Sequence, residues 1–271
     1  MNAVIDKILA AAKAADETIV LPESQDPRVL QAARILTDEG IARILLKGNA
    51  DAIAETAKEA GVSLDGIEII NQLNHPHRDE YIQQLYENRR HKGMTTDTAD
   101  KLLQNPVYYA AMMVGHDHVS GMVAGSICPT RDTVRSALFG VGLAPGNKTV
   151  SACSIMCTPI RDVGVNGALI FADTGVLPEP SAEQLADIAI AAAEACRALM
   201  DVEPYVAMLS FSTKGSAYSP AIQKVIDATK LAQERRPDMR IDGELQLDAA
   251  LLPDIAQRKA KGSDVAGQAN T

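Results

Sequence analysis

The chain has 271 residues, 46% of them hydrophobic and 23% charged, and a formal net charge of −9. This length and apolar share suffice for one large core or two modest ones, while the acidic balance argues against broad nucleic-acid binding, which needs a basic footprint. No apolar run reaches the ~18–20 residues that span a bilayer, and Met1–Asp16 carries Asp6, Lys7 and Lys13 among its alanines, which reads as a surface helix rather than a signal peptide.

Thr18-Ile19-Val20-Leu21 is the first predicted strand. Asp26 then caps a helix whose first-turn Pro27 gives up no needed donor. Val29, Ala32, Ala33 and Leu36 keep the i, i+3, i+4, i+7 spacing of one buried face, and Gly40 ends the helix. Ile41–Leu46 is the next strand, Ala50–Ala60 the next helix and Ile67–Ile70 a third strand. This alternation implies right-handed βαβ crossovers and a parallel sheet. A helix-rich stretch follows from Arg78 to Val114, then a strand near Ser120–Ala124 and a helix near Asp132–Val141. Turn residues concentrate in Gly142–Lys148, the expected boundary between a first α/β domain (1–145) and a second (146–271).

In the second domain, strands are expected at Val150–Met156 and Ala168–Ala172. Ser181 and Gln184 form a capping box for a long helix that turns Leu185, Ile188, Ala189, Ala192 and Cys196 inward. Tyr205–Ser210 reads as a strand, Pro220–Glu234 as a helix, and Ile241 ends another short strand. Pro253–Lys261 is a basic helix and Gly262–Asn270 a loop, so a buried strand is expected next. With three phenylalanines and no tryptophan, both cores must be built from Ala, Val, Ile, Leu and Met. The four cysteines (Cys128, Cys153, Cys157, Cys196) show no C-x-x-C pair or repeated framework, so they are expected to be reduced, with Cys153 and Cys157 as small hydrophobes around Ser154-Ile155-Met156. That fits a cytoplasmic setting.

Several segments join apolar runs to helix starts and supply cations or hydroxyls to an anionic ligand. Ser212-Thr213-Lys214-Gly215-Ser216 follows a predicted strand and precedes a helix, where free N–H groups and the dipole favour an anion; an ordinary cap with a solvated lysine is the alternative. Thr130-Arg131-Asp132-Thr133-Val134-Arg135 offers guanidinium forks and hydroxyls that match phosphate, or simply a capped surface helix. Arg89-Arg90-His91-Lys92 ends a helix, where cations also suit the dipole, and Arg28 opens a helix beside a strand end, the edge at which α/β sheets place ligands. Gly140-Val141-Gly142 has the wrong spacing for a dinucleotide loop, and no P-loop is present. His75-Pro76-His77 and His116-Asp117-His118 lack further ligands at matched spacing, so no metal site is expected. Asp173 and Asp242-Gly243-Glu244 follow strands as acids, bases or turn formers.

Taken together, Leu21-Pro22-Glu23-Ser24 with Asp26-Pro27-Arg28, Gly40–Asn49, Tyr86–Gly93, Asp132–Arg135, Ala207–Ala217 (A-M-L-S-F-S-T-K-G-S-A), Asp242–Ala250 (D-G-E-L-Q-L-D-A-A) and Ser263–Asn270 resemble the phosphate acetyltransferases, over essentially the whole chain. The resemblance implies two α/β/α domains with largely parallel sheets, an interdomain cleft as the active site, and a cytoplasmic homodimer of acetate metabolism. It implies reversible transfer of an acetyl group between coenzyme A and phosphate by direct attack of the CoA thiolate on acetyl phosphate. No permanently bound cofactor, metal, nucleic acid or membrane partner is implied; the partners are CoA, acetyl-CoA, phosphate and acetyl phosphate.

Carried onto this sequence, the resemblance makes Arg135 the catalytic cation, with Thr130 and Thr133 at the phosphoryl group. Arg28 and Arg89 would face CoA or phosphate, and Ser212, Thr213 and Lys214 would bind substrate. Pro129-Thr130-Arg131 stands where relatives often carry small hydroxyl residues, an altered pocket wall. The family also runs on past the equivalent of Asn270 into a buried strand and a D-L-S-R-G segment followed by the aspartate that acts as base toward the CoA thiol. A chain ending at Thr271 is therefore expected to be a fragment of a longer one, with poor stability and little activity alone. The competing readings are a non-catalytic acetyl-CoA-sensing module and a phosphate butyryltransferase.

Overall fold

The computed structural model describes residues 2–271. Leu9–Gly142 forms one compact unit; Leu143–Thr271, together with the N-terminal residues up to Ile8, forms the other.

The unit of residues 9–142 is built on a parallel sheet of β1 (Thr18–Leu21), β2 (Arg43–Lys47), β3 (Glu68–Ile70) and β4 (Gly121–Met122), in the order β3-β2-β1-β4. Alternation decides its faces. Val20 and Leu45 join one core with Tyr81, Leu85, Tyr109 and Met112, while Leu21, Ile44 and Leu46 join another with Leu30, Ala33 and Ile53. α2 (Pro27–Asp38) and α3 (Ala50–Ala60) supply the second core; α4 (Arg78–Arg89), α5 (Thr96–Leu102), α6 (Pro106–Gly115) and α7 (Thr130–Gly140) supply the first. The predicted starts hold: Asp26 accepts from the Arg28 N–H ahead of Pro27, and Asn49 caps α3. α6 and α7 pack unusually close because both carry glycine at the contact. A Cβ on Gly140 would sit 2.4 Å from the Ala111 carbonyl carbon, and one on Gly115 would sit 2.1 Å from the Gly140 carbonyl oxygen.

The other unit contains β5 (Cys153–Cys157), β6 (Ala168–Ala172), α8 (Ala182–Met200), β7 (Tyr205–Leu209), α9 (Pro220–Arg235), β8 (Arg240–Leu245), α10 (Leu247–Leu251) and α11 (Pro253–Lys259). β7 and β8 pair in parallel across α9. β5 and β6 pair antiparallel, a departure from the parallel rhythm: residues 158–167 are a loop without a helix, and a parallel return needs a longer, usually helical crossover. Ser181 and Gln184 complete the predicted capping box at the start of α8. Asn270, read in the sequence as the end of a loop, and Thr271 bond to strands: their carbonyls accept from the N–H groups of Ile170 of β6 and Ala207 of β7.

The first residues of α1 (Ala3–Ala15) pack with this unit rather than with 9–142. Val4 and Ile8 join Ala168, Ile170, Ala192 and Cys196, and Lys7 pairs with Asp201 at 2.7 Å. All four cysteines are free. Cys153 and Cys157 are exposed, a correction to their expected role as buried hydrophobes, because they sit at the two ends of the β5–β6 ribbon; Cys196 alone is fully buried, on the inner face of α8.

Candidate functional site

In the sheet of residues 9–142 the chain runs outward from β1 to β3 and then returns on the other side of β1 as β4. Ligands in open α/β sheets lie beyond the carboxyl ends of the strands at such a reversal. Here the segments leaving β1 and β4 are locked together by Glu23. Its carboxylate accepts from the backbone N–H groups of Gly125 (2.6 Å), Ser126 (2.8 Å), Ile127 (2.8 Å) and Cys128 (2.5 Å), and from the Ser126 hydroxyl (3.0 Å). Burial pushes the Glu23 carboxyl up, but the four N–H groups outweigh it and hold it at about 2. Ser24 donates to the Leu21 carbonyl and accepts from the Lys47 N–H, which ties the end of β1 to the end of β2.

Between these strand ends and α7 lies a cavity of about 780 Å³. Ser24, Lys47, Asn49, Gln72, Asn105, Tyr108, Asp132 and Arg135 contribute its polar lining. Arg135 rests over the Phe139 ring at 5.1 Å, and Arg89, from the end of α4, rests over the same ring at 4.1 Å. Neither guanidinium has a carboxylate or carbonyl partner among the described residues, so their donors remain available to an anion. Thr130 and Thr133 stand on the first turn of α7, ahead of Arg135 in the same helix; Thr133 makes only a 3.4 Å contact to the Pro129 carbonyl. Burial raises the Tyr108 phenol, against the pull of Arg135 beside it.

Arg28 is placed differently. It forks onto Asp26 (2.5 Å) and donates to the Ser126 carbonyl (3.0 Å), so its charge is neutralised within the chain. The Arg28 pairing, first through its side-chain hydrogen bond, lowers the Asp26 carboxyl.

The Ser212–Ser216 loop, in the other unit, is closed upon itself. Gly215 N–H and the Ser212 hydroxyl donate to the buried Glu244 carboxylate (2.6 and 3.1 Å). Ser216 accepts from Thr213 N–H, Ser212 accepts from Ala217 N–H, and Thr213 Oγ1 accepts from Gln246 N–H. Lys214 pairs with Asp242 at 2.5 Å. A carboxylate of the protein thus fills the anion position, and α9 begins only after Ser219. Asp173 is a turn former, accepting from Gly175, Val176 and Leu177 N–H.

The two H-x-H runs, distant in sequence, meet in the unit of residues 9–142: His77 and His118 lie 4.2 Å apart between centroids, and Tyr81 and Tyr109 hold His118 and His75 through their hydroxyls. Among the described residues no three His, Cys, Asp or Glu side chains form a group able to hold a metal.

Glu23, Lys47, Gln72 and Phe139 had no assigned role in the sequence reading. Glu23 stood within the Leu21–Ser24 motif, and Lys47 left a signal as a charge ending the apolar run Ile44-Leu45-Leu46.

Fold and free guanidinium pair together describe an α/β protein equipped for an anionic substrate. Residues 3–271 match the phosphate acetyl/butaryl transferase family, and the chain belongs to it. It is 44% identical to a phosphate acetyltransferase of Acetivibrio thermocellus over 266 residues, spanning 98% of this chain and 80% of that protein. It is 42% identical to the one from Clostridium acetobutylicum, with the same shares covered. A phosphotransacetylase structure from Streptococcus pyogenes superposes with a TM-score of 0.89 at 36% identity, covering 99% of this chain and 80% of that one. The EutD phosphotransacetylase from Staphylococcus aureus superposes with a TM-score of 0.84 at 34% identity, covering 98% and 80%.

Proposed function

We propose that this protein is a phosphate acetyltransferase, moving an acetyl group reversibly between coenzyme A and inorganic phosphate. The observation that carries the reading is similarity over 98% of the chain to proteins of that activity. In one direction the CoA thiolate attacks the carbonyl carbon of acetyl phosphate. A C–S bond forms, the C–O bond to the phosphoryl group breaks, and phosphate leaves with the electron pair. In the other, phosphate attacks the thioester and the thiolate leaves.

The negative charge that builds on the departing phosphate needs fixed positive charge beside it. Arg135 is proposed for that role, with Thr130 and Thr133 completing the cradle and Arg89 holding a second phosphate of the substrates. The lack of carboxylate or carbonyl partners at Arg135 and Arg89 supports this. Arg28 would act by trading part of its fork on Asp26. Direct binding by Ser212, Thr213 and Lys214 would require Lys214 to leave Asp242; the contacts favour a role in holding Glu244.

The assay is acetyl-CoA formation from CoA and acetyl phosphate, followed through the thioester. Turnover is expected of the complete polypeptide; acetyl-CoA binding by it without turnover would instead establish a non-catalytic sensing module. Comparing acetyl, propionyl and butyryl substrates sets the acyl preference, since each methylene is worth only ~1–3 kcal/mol in an apolar pocket. We further assign the enzyme to acetate metabolism in the cytoplasm, as a homodimer working on soluble small molecules without a bound cofactor. Four free thiols support a reducing compartment, and no helix among the described residues is long and apolar enough to cross a membrane. Light scattering that returned the mass of one chain would rule out the dimer.

A further inference from the structure

Of the three phenylalanines only Phe139 is buried; Phe171 and Phe211 are 36% and 82% exposed. Two contacts fix its place. The next residue, Gly140, packs directly on the Ala111 backbone, so α7 has little room to slide here. The Tyr108 ring meets Phe139 at 6.0 Å in a T-shaped pair. Over this fixed ring lie two cations, the Arg89 guanidinium at 4.1 Å from its centroid and that of Arg135 at 5.1 Å.

The arrangement follows from the helices. Arg135 and Phe139 are four apart on α7 and share a face, and a helical phenylalanine leans back over the preceding turn, where Arg135 stands. Arg89 comes from the last turn of α4. Neighbouring arginines take a different partner: Arg90 pairs with Glu87 at 3.2 Å and Arg131 with Asp132 at 3.5 Å. The difference matters for binding. A carboxylate neutralises a guanidinium and occupies its N–H fork, whereas the face of a benzene ring attracts the cation, leaves its charge intact and uses none of its donors.

We propose that Phe139 is a positioning residue, whose ring gathers Arg89 and Arg135 into one clamp for the phosphorylated substrate. It touches no reacting atom and acts only through the two guanidiniums. An aliphatic side chain of similar size would fill the same space but would let two like charges drift apart. The inference rests on the acetyltransferase reading, in which Arg135 serves the departing phosphate and Arg89 a second phosphate. Phe139 therefore acts on kcat through Arg135 and on KM through Arg89.

The test is a set of double-mutant cycles in the complete polypeptide, read by steady-state kinetics and by calorimetric titration with CoA, with thermal melts to verify folding. F139L should lower kcat and raise KM for CoA, each by about two- to fivefold, the worth of a cation–π contact near the surface; F139Y, which keeps the ring, should stay near wild type. In R135A the same F139L change should no longer affect kcat, and in R89A it should no longer affect KM. In titrations F139L should weaken CoA by about two- to fivefold alone and not at all in R89A/R135A. If F139L does not fold, mono-, di- and trifluorophenylalanine placed at position 139 keep the ring's shape while draining its face of negative charge, and CoA affinity should fall stepwise along that series. An F139L effect of the same size with and without the arginines, or an affinity indifferent to fluorination, would overturn the clamp and leave the enzyme reading intact. CoA binding without turnover would end the enzyme reading, and the titration cycle would still decide the clamp. A wild type that binds no CoA would overturn both.

Discussion

The charged residues of this chain divide by what surrounds them, and that division predicts their mutants. Lys47 is buried and its ammonium lies near 7 when folded, against 10.5 when free. Between those values the unfolded chain holds a proton that the folded chain does not, so this lysine makes stability rise with pH from about 7 to about 10.5. Below that window its penalty is fully present, on the order of 5 kcal/mol. K47M should therefore be more stable than wild type at pH 7, with the gap closing toward pH 10; denaturant midpoints along the pH series would show it, and a constant gap would refute it. Arg135 and Arg89 differ in being uncompensated. R135A should lower kcat by about 10²–10³-fold, the range for losing one donor at a developing anion, while R89A should act mainly on KM. Neither should destabilise the fold by more than about 1 kcal/mol, the scale of the Phe139 ring contact that each gives up. Steady-state kinetics with melting curves separate these outcomes.

At the scale of elements, the loop after β4 exists in its present shape because Glu23 organises it. Four N–H groups converge on one carboxylate, and E23Q keeps the shape but can no longer serve all of them. A loss of about 2–3 kcal/mol is expected. Because the Glu23 carboxyl is depressed to about 2, its contribution is complete above about pH 4.5 and fades as pH falls toward 2; in E23Q that fading should be absent from acid-unfolding curves. The α6–α7 contact is equally specific. G140A would place a methyl carbon against the Ala111 backbone, which cannot yield as a flexible side chain can, so it should cost more than the ~1 kcal/mol that Gly→Ala gains in an open helix. A melting temperature at or above wild type would show that α7 shifts freely.

Over the whole molecule, the two units have separate cores, so damage to one should remain there. Hydrogen exchange of G140A should show lost protection in α6 and α7, with α8 and α9 protected as in the wild type; uniform loss would mean one cooperative unit. Most helices and strands followed from the sequence because their determinants are local, whereas β8, read as ending at Ile241, runs over Arg240–Leu245 and α10 was not foreseen. Asp26 before Pro27, the Ser181/Gln184 box and the Val29–Leu36 stripe each act within a turn or two of where they stand. The antiparallel β5–β6 pairing was missed because the αβ rhythm was carried past a connection, residues 158–167, too short and helix-free for a parallel return. Among the candidate site residues, the α7 group was legible from charge and spacing. The engaged state of Lys214 was not, because only the fold brings Asp242 to it; that of Arg28 was overlooked although its partner, the cap residue Asp26, stands beside it in the sequence.

By itself the sequence determined the αβ rhythm, the helix caps, the family resemblance and the cations at α7, all properties of neighbouring residues or of whole-chain pattern. Only the tertiary structure decided which charges are spent and which are free. Glu23 meets a loop more than 100 positions away, Glu244 fills the loop that looked like an anion cradle, and Lys47 Nζ and Gln72 Oε1 are left without a partner. The reason is physical: what a charge can do depends on its desolvation and on the groups that surround it, and those are assembled from distant parts of the chain only when it folds.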